Sequence, residues 1–138
     1  MTRFVVDVSA VLHLVEQRIV VAGEHELLAP TLIRSQVLST LHESVQRGDL
    51  PAKVGRDRLD GFGRLKIRLL GDAMLRRTAW KVADELGWNS TYDAEYVALT
   101  QLQADALVTL DAELARQVKG IVATASVEDL LKRRSGHP

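Results

Sequence analysis

Short, largely apolar runs alternate with longer amphipathic segments along this chain, and this alternation restricts its fold more than any other feature. The runs lie at residues 4–6, 25–30, 66–71, 106–110 and 121–125. Runs of continuous rather than alternating hydrophobicity are typical of parallel strands covered on both faces, and strand–helix alternation is typical of α/β domains. The sequence therefore predicts one α/β domain with a central five-stranded parallel sheet flanked by helices.

The segments between the runs carry helix signals. Ser9 is expected to cap a first helix through Glu16, and Asp72 is expected to cap a helix that ends near Gly87. A further helix is predicted from Thr31 to about Arg47, because apolar residues recur on one of its faces. These residues are Ile33, Val37, Leu41 and Val45.

Three more helices are predicted before the last run, and one after it. Pro51 lies at the first turn of a helix that three glycines weaken. Ser90 or Thr91 begins another helix through Gln103, and a short helix follows Asp111. A last half-helix covers residues 127–134. The predicted domain spans residues 1–132, followed by a polar tail at 133–138.

The composition excludes several classes of protein. The chain has 138 residues, of which 46 % are hydrophobic, so it can bury a core as a single domain. It contains no cysteine, which excludes disulfide frameworks, thiolate metal sites and cysteine nucleophiles. No apolar run has membrane-spanning length, and the start "MTRFVVDV" is unlike a signal peptide. A soluble protein of the cytoplasm, without membrane contact, is predicted.

The charges are unevenly distributed although the formal net charge is zero. Residues 47–81 hold ten Lys or Arg against four Asp or Glu, while the remainder holds eight against fourteen. An arginine-rich stretch of this kind could follow the phosphates of a nucleic acid, but a solvated surface explains it equally well. Its arginines are Arg56, Arg58, Arg64, Arg68, Arg76 and Arg77.

Three aspartates stand where ligands bind in α/β proteins. Asp7 ends the first run, Asp111 follows the fourth, and Asp93 lies in the first turn of the helix leading to the fourth. Because ligands bind beyond the carboxyl ends of parallel strands, the three could converge at one edge. Clustered carboxylates repel unless a cation neutralises them, and a site of oxygen ligands alone favours Mg²⁺ or Mn²⁺. The pattern predicts a possible metal site.

Each aspartate also has an ordinary structural interpretation. Asp7 and Asp111 could cap the helices that follow them, and Ser90-x-x-Asp93 has the spacing of a capping box. The pattern alone leaves both interpretations open.

Two segments resemble PIN-domain proteins. "FVVDVSAVLHL" is similar to the opening of that family, and "TYDAEYVALTQLQADALVTLDAEL" is similar to its most specific segment. "LAPTLIRSQVLSTLHESVQRGDL" resembles its second helix. At this chain length, the resemblance is to the VapC-type toxins of bacterial toxin–antitoxin pairs.

The resemblance implies a three-layer PIN-like fold and an endoribonuclease that hydrolyses RNA phosphodiesters with Mg²⁺ or Mn²⁺. By position, it implies that Asp7, Asp93 and Asp111 are the catalytic, metal-binding acids, with Ser9 and Thr109 as supporting hydroxyls. It also implies an RNA substrate and a homodimer. A cognate antitoxin is implied as well, whose tail occupies a groove of the toxin.

The chain departs from the family at residue 36. The family usually has glutamate where this chain has Gln36, and Ser39 replaces the usual asparagine. Gln36 is therefore a doubtful metal ligand, since an amide carries no charge. Glu43 lies seven residues on, about 10 Å along a helix, and is a poor replacement. A degenerate domain that binds RNA or antitoxin without cutting is the alternative.

Other enzyme classes fit the sequence less well. Phosphotransfer of the haloacid-dehalogenase type needs a second acid two residues after Asp7, where this chain has Ser9. Receiver-like modules need paired acids near the same strand end. No glycine-rich phosphate loop follows the first strand.

Overall fold

A computed structural model describes residues 1–131 and shows five parallel strands with helices on both sides. The strands are β1 (Thr2–Val6), β2 (His25–Pro30), β3 (Ile67–Leu70), β4 (Ala106–Val108) and β5 (Thr124–Ala125). The helices are α1 (Val8–Glu16), α2 (Ile33–Gln46), α3 (Ala52–Arg64), α4 (Ala73–Leu86), α5 (Tyr92–Gln103), α6 (Ala112–Gln117) and α7 (Val127–Leu131). The predicted fold class is confirmed.

The sheet has the order β3-β2-β1-β4-β5, with β1 at its centre. The chain first moves outward from β1 to β2 and β3, and then continues on the other side with β4 and β5. The strand order therefore reverses between β1 and β4, and a crevice opens at such a reversal beyond the carboxyl ends of the strands.

The core consists of aliphatic side chains from both faces of the sheet. Val5 and Leu107 on the central strands are fully buried, as expected for strands covered on both sides. On α2, Ile33, Val37 and Leu41 are buried, which confirms three of the four positions predicted for its apolar face.

Asp7 rather than Ser9 caps α1, so the cap predicted at Ser9 was wrong and the capping alternative at Asp7 is confirmed. The backbone of Asp7 is extended, and its Oδ1 accepts a hydrogen bond from the backbone N–H of Ala10 at 2.9 Å. The helix begins directly after the strand, which leaves the acid at the strand end as the capping residue. The predicted cap at Asp72 is confirmed, since its Oδ1 accepts from the N–H of Leu75.

The expected capping box at Ser90 and Asp93 does not form. Thr91 is the residue that precedes α5, and its side chain makes no capping hydrogen bond. Ser90 Oγ instead accepts from the N–H of Tyr92 at 3.3 Å. Asp93 therefore has no capping role, which weakens its ordinary structural interpretation.

The last strands are shorter than predicted. β4 ends at Val108 rather than at residue 110, and β5 has two residues rather than five. The predicted end of the last helix, at residues 132–134, and the predicted tail at 133–138 lie outside the described residues. No helix within residues 1–131 has the length and apolar character needed to cross a bilayer.

Candidate active site

Asp7, Asp93 and Asp111 line one cavity beyond the carboxyl ends of β1 and β4. Its volume is about 560 Å³. Asp7 is buried at the end of β1, whereas Asp93 and Asp111 are more accessible at the starts of α5 and α6. The polar side chains that line the cavity are Asp7, Ser9, Gln36, Ser39, Thr40, Glu43, Asp93, Tyr96 and Asp111. The predicted convergence of the three acids on one edge is therefore observed.

Two hydroxyl groups fix the carboxylate of Asp7. Ser9 Oγ donates to Asp7 Oδ1 at 2.6 Å, and Thr109 Oγ1 donates to Asp7 Oδ2. Ser9 Oγ also accepts from the N–H of Leu110 at 2.9 Å, which joins the ends of β1 and β4. Ser9 and Thr109 thus hold Asp7 in one orientation, the contact expected of supporting hydroxyls.

Asp111 caps α6 and still lies on the cavity. Its Oδ1 accepts from the N–H groups of Glu113 at 3.0 Å and Leu114 at 3.1 Å. The capping interpretation of Asp111 is therefore correct, and so is that of Asp7. Capping does not exclude a second role, because each carboxylate oxygen can accept more than one partner.

The electrostatics of the cavity are unfavourable to three negative charges. Desolvation raises the pKa of Asp93, and the negative charges of Asp111 and Asp7 raise it further. Asp93 is therefore close enough to be repelled by both other carboxylates, and a bound cation would relieve that repulsion.

The cavity offers the type of ligand atom, oxygen, that a hard divalent cation prefers. Within the described residues, the cavity offers carboxylate, amide and hydroxyl oxygens and no imidazole or thiol, which is the preference of Mg²⁺ and Mn²⁺. Across residues 1–131, however, no three His, Cys, Asp or Glu side chains form a compact metal cluster. The acids share a cavity without forming a preassembled coordination shell.

Tyr96 belongs to the site and was missed by the sequence interpretation. It is almost completely buried on α5, and its hydroxyl donates to Gln36 Oε1 at 2.5 Å. Desolvation raises the pKa of Tyr96, and the charges of Asp7, Glu95 and Asp93 add to this effect, so the hydroxyl keeps its proton. The available signal was spacing, since Tyr96 lies three residues after Asp93 and hence on the same side of the helix.

Glu43 lines the same cavity as Gln36, although it lies seven residues further along α2. Both side chains line the cavity, and Ser39 Oγ donates to Glu43 Oε2 at 2.9 Å. α2 therefore supplies one neutral and one acidic side chain to the same cavity.

The arginine-rich stretch is divided among several elements. Arg58 pairs with Glu16 at 3.4 Å, and Arg68 lies 3.9 Å from Glu26. None of the six arginines belongs to the cavity lining within the described chain.

The two tryptophans have different environments. Trp88 is half-buried and donates from Nε1 to Gln117 Oε1 at 2.9 Å, whereas Trp80 is 67 % exposed on α4. Trp88 therefore packs against the core, whereas Trp80 remains on the surface.

Comparisons with known proteins agree with this geometry. No protein-family model matches the sequence. The chain is 36 % identical over 115 residues to the VapC ribonuclease Mb0985 of Mycobacterium bovis and to ribonuclease VapC9 of Mycobacterium tuberculosis. Each alignment covers 80 % of this chain and 87 % of the relative.

Solved structures share the fold. PAE2754 from Pyrobaculum aerophilum is 25 % identical, with a TM-score of 0.67 over 94 % of this chain and 93 % of its own. VapBC2 from Rickettsia felis, solved with a DNA fragment from its promoter, has a TM-score of 0.66 at 10 % identity, over 90 % of this chain and 98 % of its own. The chain belongs to the VapC family of PIN-domain proteins.

Proposed function

We propose that this protein is a Mg²⁺- or Mn²⁺-dependent endoribonuclease, the toxin of a toxin–antitoxin pair. The convergence of Asp7, Asp93 and Asp111 in one cavity is the observation that carries the proposal. Relatives that cover most of the chain and are named ribonucleases support the same activity.

The three acids are proposed to hold the cation, with Asp7 kept in orientation by Ser9 and Thr109. When bound, such a cation lowers the pKa of an attacking water and stabilises the leaving oxygen of a phosphodiester. Asp93 is the acid whose raised pKa responds to the other two. A cation bound in the cavity would offset the repulsion that raises the pKa of Asp93.

RNA, a cognate antitoxin and a second subunit are the proposed partners, and the cytoplasm is the proposed location. An apolar groove of about 290 Å³ between α2 and α3 supports antitoxin binding, since a partner helix could cover its leucines. Exposed apolar side chains on α4 and α5, among them Met74, Trp80 and Leu102, support a homodimer.

The proposal is tested by incubating the purified protein with structured RNAs and Mn²⁺, beside Asp93→Asn. The expected result is a set of cleavage products that the variant and an EDTA control lack. Asp105→Asn is the matched control, because Asp105 bonds to the N–H of Arg3 at the opposite end of the sheet. Identical products from the wild type and Asp93→Asn would refute nuclease activity at this site.

A further inference from the structure

Gln36 presents a hydrogen-bond donor, rather than an acceptor, to the acidic cavity. Its Oε1 accepts the hydroxyl proton of Tyr96 at 2.5 Å, while its Nε2 has no hydrogen-bond partner within residues 1–131. The side chain is half-buried and lines the cavity with Asp7 and Asp93. An amide whose oxygen is engaged keeps its two N–H groups for other partners, and Gln36 lines the cavity that also holds the carboxylates.

Among the described residues, the hydroxyl of Tyr96 makes one hydrogen bond, to Oε1 of Gln36. Its ring is 1 % exposed, and the hydrogen bond to Gln36 joins α5 to α2 across 60 residues of sequence. Because leaving a buried hydroxyl without a partner is costly, this contact fixes the orientation of the Gln36 amide. Tyr96 thus acts as a positioning residue.

A cation and an N–H donor both seek oxygen acceptors, and they repel each other. An amide N–H group repels a metal ion but binds the oxygens of a phosphodiester, which an acidic cavity otherwise repels. From this geometry we infer that Gln36, held by Tyr96, is a hydrogen-bond donor to the RNA backbone in this cavity and not a ligand of the cation. The inference rests on the proposed ribonuclease function, because it takes RNA as the occupant.

The test measures RNA binding without metal. Fluorescence anisotropy in EDTA gives the Kd of a fluorescein-labelled RNA hairpin for the wild type, Gln36→Ala, Tyr96→Phe and the double variant. Gln36→Ala is expected to raise the Kd about tenfold, which is the loss of one hydrogen bond to a charged group. Tyr96→Phe is expected to raise it about threefold alone and to add nothing in the Gln36→Ala background, because it acts through Gln36.

Two control variants separate this effect from general changes in the helices. Gln46→Ala removes an amide from the same helix at the groove between α2 and α3, and Tyr92→Phe removes an exposed hydroxyl from α5. Both are expected to keep the wild-type Kd. Thermal melting of every variant identifies any loss of folding. If Tyr96→Phe unfolds the protein, the RNA Kd of Gln36→Ala, a substitution at a half-buried site, tests the role of Gln36 by itself.

Mn²⁺ binding provides a second readout. Electron paramagnetic resonance titration with Mn²⁺ alone is expected to give Gln36→Ala the wild-type affinity within about twofold. A tenfold loss of Mn²⁺ affinity would show that Gln36 is a ligand and would overturn the inference. Three further results would also overturn it. They are an unchanged RNA Kd in Gln36→Ala, a double variant whose Kd shows that the two substitutions weaken RNA binding independently, and a wild type that does not bind the hairpin. Failure of Mn²⁺-dependent cleavage alone would count against the proposed function and leave the metal-free Kd values as the test of Gln36.

Discussion

The hydroxyl of Thr109 donates to Oδ2 of Asp7 and so connects two residues that lie 102 positions apart in the chain. Thr109 follows β4 and Asp7 follows β1, the two strands between which the strand order reverses. The same Thr109 oxygen accepts from the N–H of Asp111 at 3.0 Å. One threonine therefore contacts the carboxylate of Asp7 and the backbone of Asp111, and so links two of the three acids.

Thr109→Val is expected to destabilise the fold by about 1–3 kcal/mol, because a buried carboxylate oxygen and a backbone N–H each lose a partner. Urea denaturation measures this loss, which should lower the midpoint without changing the slope. Thr109→Ser keeps the hydroxyl and is the matched control. Equal stability of the valine and serine variants would show that these hydrogen bonds contribute little.

Asp93→Asn is expected to stabilise the metal-free protein at neutral pH. The folded state raises the pKa of Asp93 above its ordinary value of 3.8, so the native state binds this proton more tightly than the unfolded chain. The unfavourable contribution of Asp93 is then fully present above the folded-state pKa and disappears as the pH falls to the ordinary value. Asparagine removes it. The gain should stay below about 1 kcal/mol, because Asp93 is partly exposed and water screens the repulsion.

Differential scanning fluorimetry in EDTA, from pH 3.5 to pH 8, checks this pH dependence. The melting temperature of Asp93→Asn should exceed that of the wild type at pH 7 and approach it near pH 3.8. Added Mg²⁺ should reverse the order, since a ligand stabilises the folded state that binds it. A variant less stable than the wild type at pH 7 in EDTA would contradict the repulsion among the three acids.

Gln36→Glu restores the acid that the family usually has at this position. It is expected to raise Mn²⁺ affinity about tenfold or more, because one negative charge joins three others. It should also weaken metal-free RNA binding, since a carboxylate repels phosphate and offers no N–H donor. Isothermal titration with Mn²⁺ and anisotropy in EDTA measure the two effects.

Gln46→Glu adds the same charge on α2 outside the cavity and serves as the control. If both glutamate variants change Mn²⁺ affinity equally, the effect is general electrostatics rather than ligation at residue 36.

Local patterns in the sequence are sufficient to predict the sheet and the positions of the three acids. Each strand is a short apolar run, and each acid follows a strand or begins a helix, so the carboxyl edge of the sheet could be inferred without long-range information. The sequence offered both Ser9 and Asp7 as caps of α1, because two good capping residues stand close together. Only the structure shows that the strand leads directly into the helix.

The contact between Tyr96 and Gln36 could not be predicted in the same way. It joins two helices through side chains 60 residues apart, and no local periodicity encodes which residues meet across two packed elements. Tyr96 follows Asp93 at helical spacing, but the same pattern is typical of a core aromatic. The family usually has glutamate at residue 36, and the hydrogen bond that Gln36 makes there with Tyr96 can be identified only from the three-dimensional structure.

Trp80→Glu is expected to disrupt the proposed homodimer and to leave a monomer. Trp80 is 67 % exposed on α4, and Met74 on the same helix is 51 % exposed. Burial of such side chains against a second copy would contribute favourably, and a buried carboxylate there would be costly. Sedimentation equilibrium measures the mass. Val20→Glu, at an 82 % exposed position between α1 and β2, is the control. A wild-type protein that sediments as a monomer would contradict a dimer through this helix.

Two glycines of α3 should respond in opposite ways to alanine. A Cβ at Gly55 would lie 2.6 Å from Val45 Cγ2, so the Val45 side chain or the two helices would have to shift, whereas nothing lies within 4 Å of a Cβ at Gly63. Gly63→Ala is expected to stabilise the protein by up to about 1 kcal/mol through helix propensity and reduced entropy of the unfolded chain. Gly55→Ala should destabilise it, because overpacking costs about 1–3 kcal/mol and exceeds that gain. Urea denaturation of both variants measures the difference, and a stabilising Gly55→Ala would show that the contact between the two helices yields easily.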